Sequence, residues 1–352
     1  MLREYRNLLL AVFIVISVVA IVYFSAPLEQ SRVDLSNPSF AGASGWFNAH
    51  SSLSLDQYRG KNVVVVSFWS YACTECQEEI DYLNRLYNKY RGNGLMVIGV
   101  HTPEFDFERN SNNVKLAVNE RGIRYPIALD NEKFIWTAFN NKYLPRRYVL
   151  DTSGKIMYDH IGMGNYLETE KVVREFLEEL GTDLSNIPFE APEPDIATRL
   201  STPPIYAGID FDIPLGNSED FSLGEIVTYK QPTKVGLDKL YLEGAWQILS
   251  DRARHVYRDN GQIYVKYTGS KVDMVAASRT MQPLRIDVQL DGQYLGRSMA
   301  GEDILFDANG RSYVMVRAPG IYNVIDTEFD THKLQLTTSS DQLDLYKLNF
   351  KG

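Results

Sequence analysis

Hydrophobic and polar positions along this chain change their period twice, and the changes divide it. The first apolar stretch, Leu8 to Phe24, is interrupted only by Ser17, follows Arg3 and Arg6, and is followed by Ser25, Ala26 and Pro27. At about 1.5 Å per residue, a helix of about 17 residues is at the short end of what spans a bilayer core. Phe24-Ser25-Ala26 puts a bulky residue where a signal-peptidase site needs a small one, so an uncleaved transmembrane anchor over 1–26 is expected, with a cleaved signal or a buried helix as alternatives. The two arginines then stay in the cytoplasm and the rest of the chain lies outside, where disulfides persist. Residues 27–45 show no period and read as a tether.

From Trp46 the pattern alternates between strand-length and helix-length units. Asn62 to Trp69 is a continuous apolar run of strand length, which suits a strand buried on both faces. Ile80, Leu83, Tyr87 and Tyr90 repeat at spacings of three and four, and Arg91-Gly92-Asn93-Gly94 supplies a helix stop. Leu95 to Val100 predicts a second strand, Asn112 to Arg121 a helix, Tyr125 to Leu129 a short strand and Glu132 to Phe139 a short helix. A hairpin follows over Arg147 to Leu150 and Lys155 to Ile161, and an amphipathic helix over Glu168 to Leu180. This order describes an α/β domain over 46–183.

Prolines then crowd the segment between Pro188 and Pro214, so 184–220 reads as a linker. Beyond it the period becomes two: Ile263, Val265 and Tyr267 alternate with polar neighbours, as do Ile286, Val288 and Leu290, and Asp291-Gly292 marks a hairpin turn. With further runs at Ser312–Arg317, Lys333–Thr337 and Leu343–Phe350, residues 221–352 predict an all-β sandwich of the jelly-roll kind.

Charge and cysteine count narrow the chemistry. With 45 Asp+Glu against 36 Lys+Arg, the net charge of −9 offers no general basic field for nucleic acid. Only two cysteines occur, Cys73 and Cys76, which excludes a disulfide-stapled scaffold and any four-thiolate metal site. Cys73-Thr74-Glu75-Cys76 lies just past a buried strand and opens a helix, so one turn brings the two Cα atoms within disulfide range. The helix start favours a thiolate by about 0.3–1 kcal/mol, while Glu75 opposes it.

The run Phe68-Trp69-Ser70-Tyr71-Ala72-Cys73-Thr74-Glu75-Cys76 resembles the start of thioredoxin-like proteins of the TlpA/ResA type. The resemblance is closest to the DipZ-like branch, through Val100-His-Thr-Pro-Glu-Phe105, Gly122-Ile-Arg-Tyr-Pro126, Ala128-Leu-Asp130, Gly244-Ala-Trp246, Leu290-Asp-Gly292 and Ala300-Gly-Glu-Asp303. It covers the chain from about residue 46 onward. It implies a thioredoxin fold, thiol–disulfide exchange on protein disulfides and no cofactor. A single anchor stands where DipZ-like proteins often carry a multi-spanning electron-transfer domain, so the reductant is expected from a membrane donor in trans.

By position the resemblance makes Cys73 the exposed nucleophile, Cys76 the buried resolving thiol and Pro145 a cis-proline facing the sulfurs. Glu79 is either a proton relay for Cys76 or a solvated helix residue. Trp69 is the core aromatic beside the motif. Ala72 replaces thioredoxin's second Trp and is expected to leave Cys73 more open, while Ser67 replaces its buried acid. Thr74 and Glu75 complete the motif. His101, with Thr102 and Glu104, sits at the carboxyl end of the second strand, either tuning Cys73 or merely capping the strand. A Cys-Cys-His copper site would need His101 or His160 to converge on the thiols, at a spacing unlike that of copper chaperones, so no metal is expected.

In the C-terminal domain, Trp246, Tyr257, Tyr264, Tyr267, Tyr294, Tyr313 and Tyr322 either form a platform for carbohydrate or peptide or fill the core. Thiol–disulfide oxidoreduction is the leading function. A thiol peroxidase is the first alternative, although the P-x-x-x-T-x-x-C pattern is missing before Cys73. An anchored binding protein with a static disulfide is the second.

Overall fold

A computed structural model describes residues 38–190 and 200–352. The expected anchor lies outside the described residues, and among those residues no helix is long and apolar enough to cross a membrane. The part of the expected tether that is described is folded: Phe40 is buried, and β1 (Gly45–Phe47) pairs antiparallel with β4 (Ile127–Leu129). A short apolar triplet with no visible period gives a sequence reading little to work with.

The first sheet has the order β1-β4-β3-β2-β5-β6. Its central strands β2 (Val63–Trp69) and β3 (Leu95–His101) are parallel, and β5 (Arg146–Leu150) and β6 (Ile156–Ile161) form the antiparallel edge. The continuous apolar run of β2 follows from its position. Val63, Val65 and Trp69 enter the core on one face, with α1 (Thr74–Tyr90) and α4 (Tyr166–Glu179), while Val64, Val66 and Phe68 enter the core on the other. Two smaller helices, α2 (Ser111–Glu120) and α3 (Phe134–Ala138), complete this α/β domain.

The second domain is all-β, as expected for 221–352. Its strands form one hydrogen-bonded antiparallel sheet that includes β8 (Ile226–Tyr229), β9 (Lys239–Ile248), β10 (Ala253–His255), β11 (Gly261–Ser278), β12 (Leu284–Leu290), β13 (Gln293–Tyr294), β14 (Ile304–Phe306), β15 (Ser312–Val316), β16 (Gly320–Thr338) and β17 (Leu343–Lys351). β11 and β16 pair along most of their length, through register shifts between Gly269 and Lys271 and between Val272 and Asp273. Such irregularities bend a strand and raise its twist. They let this single sheet curl around one core that takes in residues from Ile205 to Phe350. The polar residues at the bends are what made these long strands read as shorter ones. Asp291 and Gly292, at φ 52° and 82°, make the predicted turn after β12.

The proline-rich segment is also more than a linker. Residues 191–199 lie outside the description, but the Thr202 N–H donates to the Thr268 carbonyl at 2.8 Å, Ile205 and Ala207 are buried, and β7 (Ile205–Tyr206) adds to β17.

The two domains share a small buried cluster. Ala72 and Phe105 of the first meet Val275, Ala277 and Tyr346 of the second. The Tyr346 ring lies 5.1 Å from that of Phe105 and 4.7 Å from that of Phe107. Phe105→Ala removes the central ring of this contact and is expected to cost about 3 kcal/mol, the low end for a buried phenylalanine. Calorimetry should then resolve two unfolding transitions in place of one; an unshifted single transition would contradict the assignment.

Candidate active site

Cys73 occupies the N-cap of α1 in extended conformation, and its sulfur accepts the Cys76 N–H at 3.2 Å. The two residues form a disulfide across one helical turn, with Cα atoms 5.3 Å apart. The sequence makes this geometry because β2 ends at Trp69 in the interior and the chain must turn through Ser70–Ala72 before the helix begins. Leu144–Pro145 is cis. Leu144 packs on the core cluster that contains both cysteines and lines the cleft over Cys73.

The expected openness of Cys73 is corrected. Its exposure is only 5%, and Ala72 is fully buried beneath the second domain. The small side chain at 72 makes room for Tyr346 and its neighbours, not for solvent. Access to Cys73 runs through a cavity of about 460 Å³ between the domains. Cys73, Thr74, Glu75, Glu104 and Leu144 lie on one side of it, and Tyr206, Lys347 and Asn349 on the other.

The polar residues around the motif divide into three groups. In the first, Glu79 is buried and ion-paired with Arg147 at 2.7 Å, so the solvated alternative is overturned. Arg147 also donates from Nε to Thr169 Oγ1 at 2.7 Å and to the Gly164 carbonyl, which satisfies a buried guanidinium. Sequence reading missed Arg147. Its signal was a charged residue in a strand whose next three positions are all buried.

Glu108, in the second group, was also missed. It is buried with no net exposure, and it caps the loop that leads into the motif: Oε1 accepts from Ser70 Oγ and from the Ala72 N–H at 3.0 Å, and Oε2 from the N–H groups of Glu104 and Phe105 at 2.7 and 2.9 Å. Burial pushes its carboxyl up from 4.5 to about 7, with the charge of Glu104 adding to the rise and these hydrogen bonds opposing it. His101 is buried as well, edge-on to Trp69, stacked on Tyr71 and accepting the Tyr71 N–H at 3.4 Å. Burial pushes its imidazole down to about 3, so the 3.9 Å approach to Glu108 is not an ion pair at neutral pH. His101 thus supports the loop before the motif. His160 contacts the Met163 carbonyl and Asn165, away from any ligand set. Among the described residues no three metal-ligating side chains gather.

The third group comes from the second domain. Asn349 Nδ2 donates to Thr74 Oγ1 at 2.7 Å, and Lys347 Nζ reaches the two Glu104 carboxylate oxygens at 3.2 and 3.0 Å, beside Tyr206. Thr74 and Glu104 therefore tie the motif to β17. Glu75 stays exposed on the cleft. Of the aromatics named for a platform, Trp246, Tyr264 and Tyr267 are buried in the second domain, with the Trp246 indole N–H donating to the Glu243 carbonyl at 2.8 Å, while Tyr294, Tyr313 and Tyr322 are half-buried and Tyr257 is exposed.

A mixed sheet, a Cys-x-x-Cys disulfide opening a helix and a cis-proline leading into the next strand define a thioredoxin-like domain. Residues 36–159 match the AhpC/TSA family and residues 202–350 match the thioredoxin like C-terminal domain, so the chain carries both of these family domains in sequence. It is 35% identical over 216 residues to protein DipZ of Mycobacterium tuberculosis, an alignment covering 60% of this chain and 31% of that protein. It is 29% identical over 142 residues to thiol-disulfide oxidoreductase YkuV of Bacillus subtilis, covering 40% of this chain and 94% of that protein. To thiol-disulfide oxidoreductase ResA of Bacillus anthracis it is 29% identical over 139 residues, covering 40% and 75%. The chain thus spans about a third of the length of DipZ, while its first domain aligns with most of YkuV and ResA, both thiol–disulfide oxidoreductases.

Glu108 gives a pH test. A carboxyl raised on folding contributes stability that is complete below about 4.5 and is lost as pH rises toward 7. Denaturant midpoints of the parent chain are expected to fall across that window, and Glu108→Gln should flatten that fall. Equal slopes in the two proteins would contradict the placement of the charge.

Proposed function

We propose that this chain is a membrane-tethered thiol–disulfide oxidoreductase acting outside the cytoplasmic membrane, with Cys73 as nucleophile and Cys76 as resolving thiol. The observation that carries this reading is the Cys73–Cys76 pair on the first turn of α1, at a cleft also lined by Leu144 of the cis Leu144–Pro145 bond. In the reduced chain, the Cys73 thiolate attacks one sulfur of a protein disulfide, and the other sulfur leaves as a thiolate and takes up a proton. The Cys76 thiolate then attacks Cys73 Sγ, the substrate's second sulfur leaves reduced, and the Cys73–Cys76 disulfide is restored. Two electrons and two protons pass to the substrate. A membrane donor in trans returns them.

The helix start and the Cys76 N–H favour the Cys73 thiolate. Glu79, one turn beyond Cys76 and held by Arg147, is the group proposed to accept or return the Cys76 proton. The second domain is proposed to present the substrate segment to Cys73. Trp246, Tyr264 and Tyr267 are committed to its core, which takes three of the named aromatics away from a sugar platform. A peroxidase reading has the AhpC/TSA match in its favour. Against it, the hydroxyl three residues before Cys73, that of Ser70, is committed to Glu108.

Cys76→Ala expressed in vivo should accumulate mixed disulfides that dithiothreitol releases and that Cys73→Ala abolishes. No captured partner, with a parent disulfide resisting mild reductant, would favour the static-disulfide reading. For location, a phosphatase reporter that folds only outside the cytoplasm, fused after Gly352, is expected to be active; an inactive fusion would overturn the membrane orientation.

A further inference from the structure

The cleft over Cys73 differs in charge from the rest of the molecule. The chain carries a net −9, yet four lysines line the cleft, Lys133, Lys142, Lys347 and Lys351, against two glutamates, Glu75 and Glu104. Lys347 already neutralises Glu104. Lys133 and Lys142 are exposed and make no ion pair among the described residues, and the Lys133 ammonium lies 5.8 Å from the centre of the Trp136 ring. Lys351, from the second domain, pairs with the exposed Glu78 at 3.6 Å and also faces Glu75 and Asp273. Lys133 and Lys142 of the redox domain therefore stand at the cleft without an anionic partner among the described residues, while Lys347 and Lys351 of β17 already face Glu104, Glu78 and Glu75.

The shape restricts what can use them. Cys73 is only 5% exposed, so a substrate disulfide must reach it through this opening, whose volume of about 460 Å³ is that of a ligand pocket. Trp136, Tyr143 and Leu144 on one wall and Tyr206, Phe211 and Phe350 on the other leave an apolar channel between the cations. A chain threaded past its cysteine would meet Lys133 and Lys142 beside this channel.

We propose that the cleft receives an extended peptide segment whose acidic side chains flank the cysteine of the disulfide to be reduced. This selects a substrate class for the exchange reaction above and rests on that reading. Opposite charge on the two partners raises association rates by about tenfold or more at low salt, and the gain fades as the screening length falls from about 30 Å at 0.01 M to about 8 Å at 0.15 M.

The test uses the reduced full chain and two peptides of one length. Each carries a single cysteine blocked by a hydroxyethyl disulfide, flanked by aspartates in one peptide and by lysines at the same positions in the other. Loss of the protein dithiol is followed by quenched alkylation, with bis(2-hydroxyethyl) disulfide as a neutral reference and oxidised glutathione as a small anionic one. The aspartate peptide is expected to react at least about tenfold faster than the lysine peptide at low salt, with the ratio shrinking at high salt. In Lys133→Glu/Lys142→Glu the ratio, each rate normalised to the neutral reference, should fall to about 2 or less. Equal peptide rates alongside a reactive neutral reference would overturn the charge proposal and leave the exchange reading standing. Oxidised glutathione matching the aspartate peptide would overturn the peptide occupant in favour of a small anionic disulfide. If even the neutral disulfide is inert, it is the exchange reading that fails.

Discussion

The site depends on how the second domain seats on the loop before Cys73. Ala72 is the smallest side chain that still buries apolar surface there, and Tyr346, Val275 and Ala277 close over it. Phe105 and Phe107 bring two further rings to Tyr346. Aromatic pairs of this kind contribute about 0.5–1.5 kcal/mol each beyond the area they bury. The contact turns the exposed corner that a strand end and a helix start would otherwise present into one wall of a cleft. The same loop is held from behind by Glu108, which gathers donors from Ser70, Ala72, Glu104 and Phe105. One buried carboxylate thus fixes both the approach to the motif and the segment on which the second domain lands.

That arrangement explains why the residues around the sulfurs do unequal work. Thr74 and Glu104 face the second domain and are bonded to Asn349 and Lys347. His101 and Trp69 fill the interior behind the motif, where burial keeps the imidazole neutral. Glu79 is fixed by Arg147 from the strand that follows the cis-proline, which joins the resolving cysteine's helix to the opposite side of the sheet's centre.

Much of the first domain was legible in the sequence because its signals are local. The apolar run of β2 reads as doubly buried, the cysteines follow it at one helical turn, and Pro145 precedes the next strand. What was not legible depends on pairs far apart in the chain. Glu79 meets Arg147 across 68 positions, Lys347 meets Glu104 across 243 and Asn349 meets Thr74 across 275. No periodicity carries such pairs, and a small residue at 72 reads as openness until the domain that fills the space is in view. The single curled sheet was not legible for a similar reason: polar residues at the bends of β11 and β16 look like strand ends, while register shifts let the ladder run on through them.

On the proposed reading, Cys73 is an activated nucleophile reached through the cleft and Cys76 its sheltered partner. The direct measurement is alkylation of the reduced chain across pH, with each cysteine mapped by mass spectrometry. Cys73 is expected to react first, with an apparent pKa below the free-thiol value of about 8.5, while Cys76 stays protected. Cys76 reacting first, or a Cys73 profile centred at or above about 8.5, would contradict it.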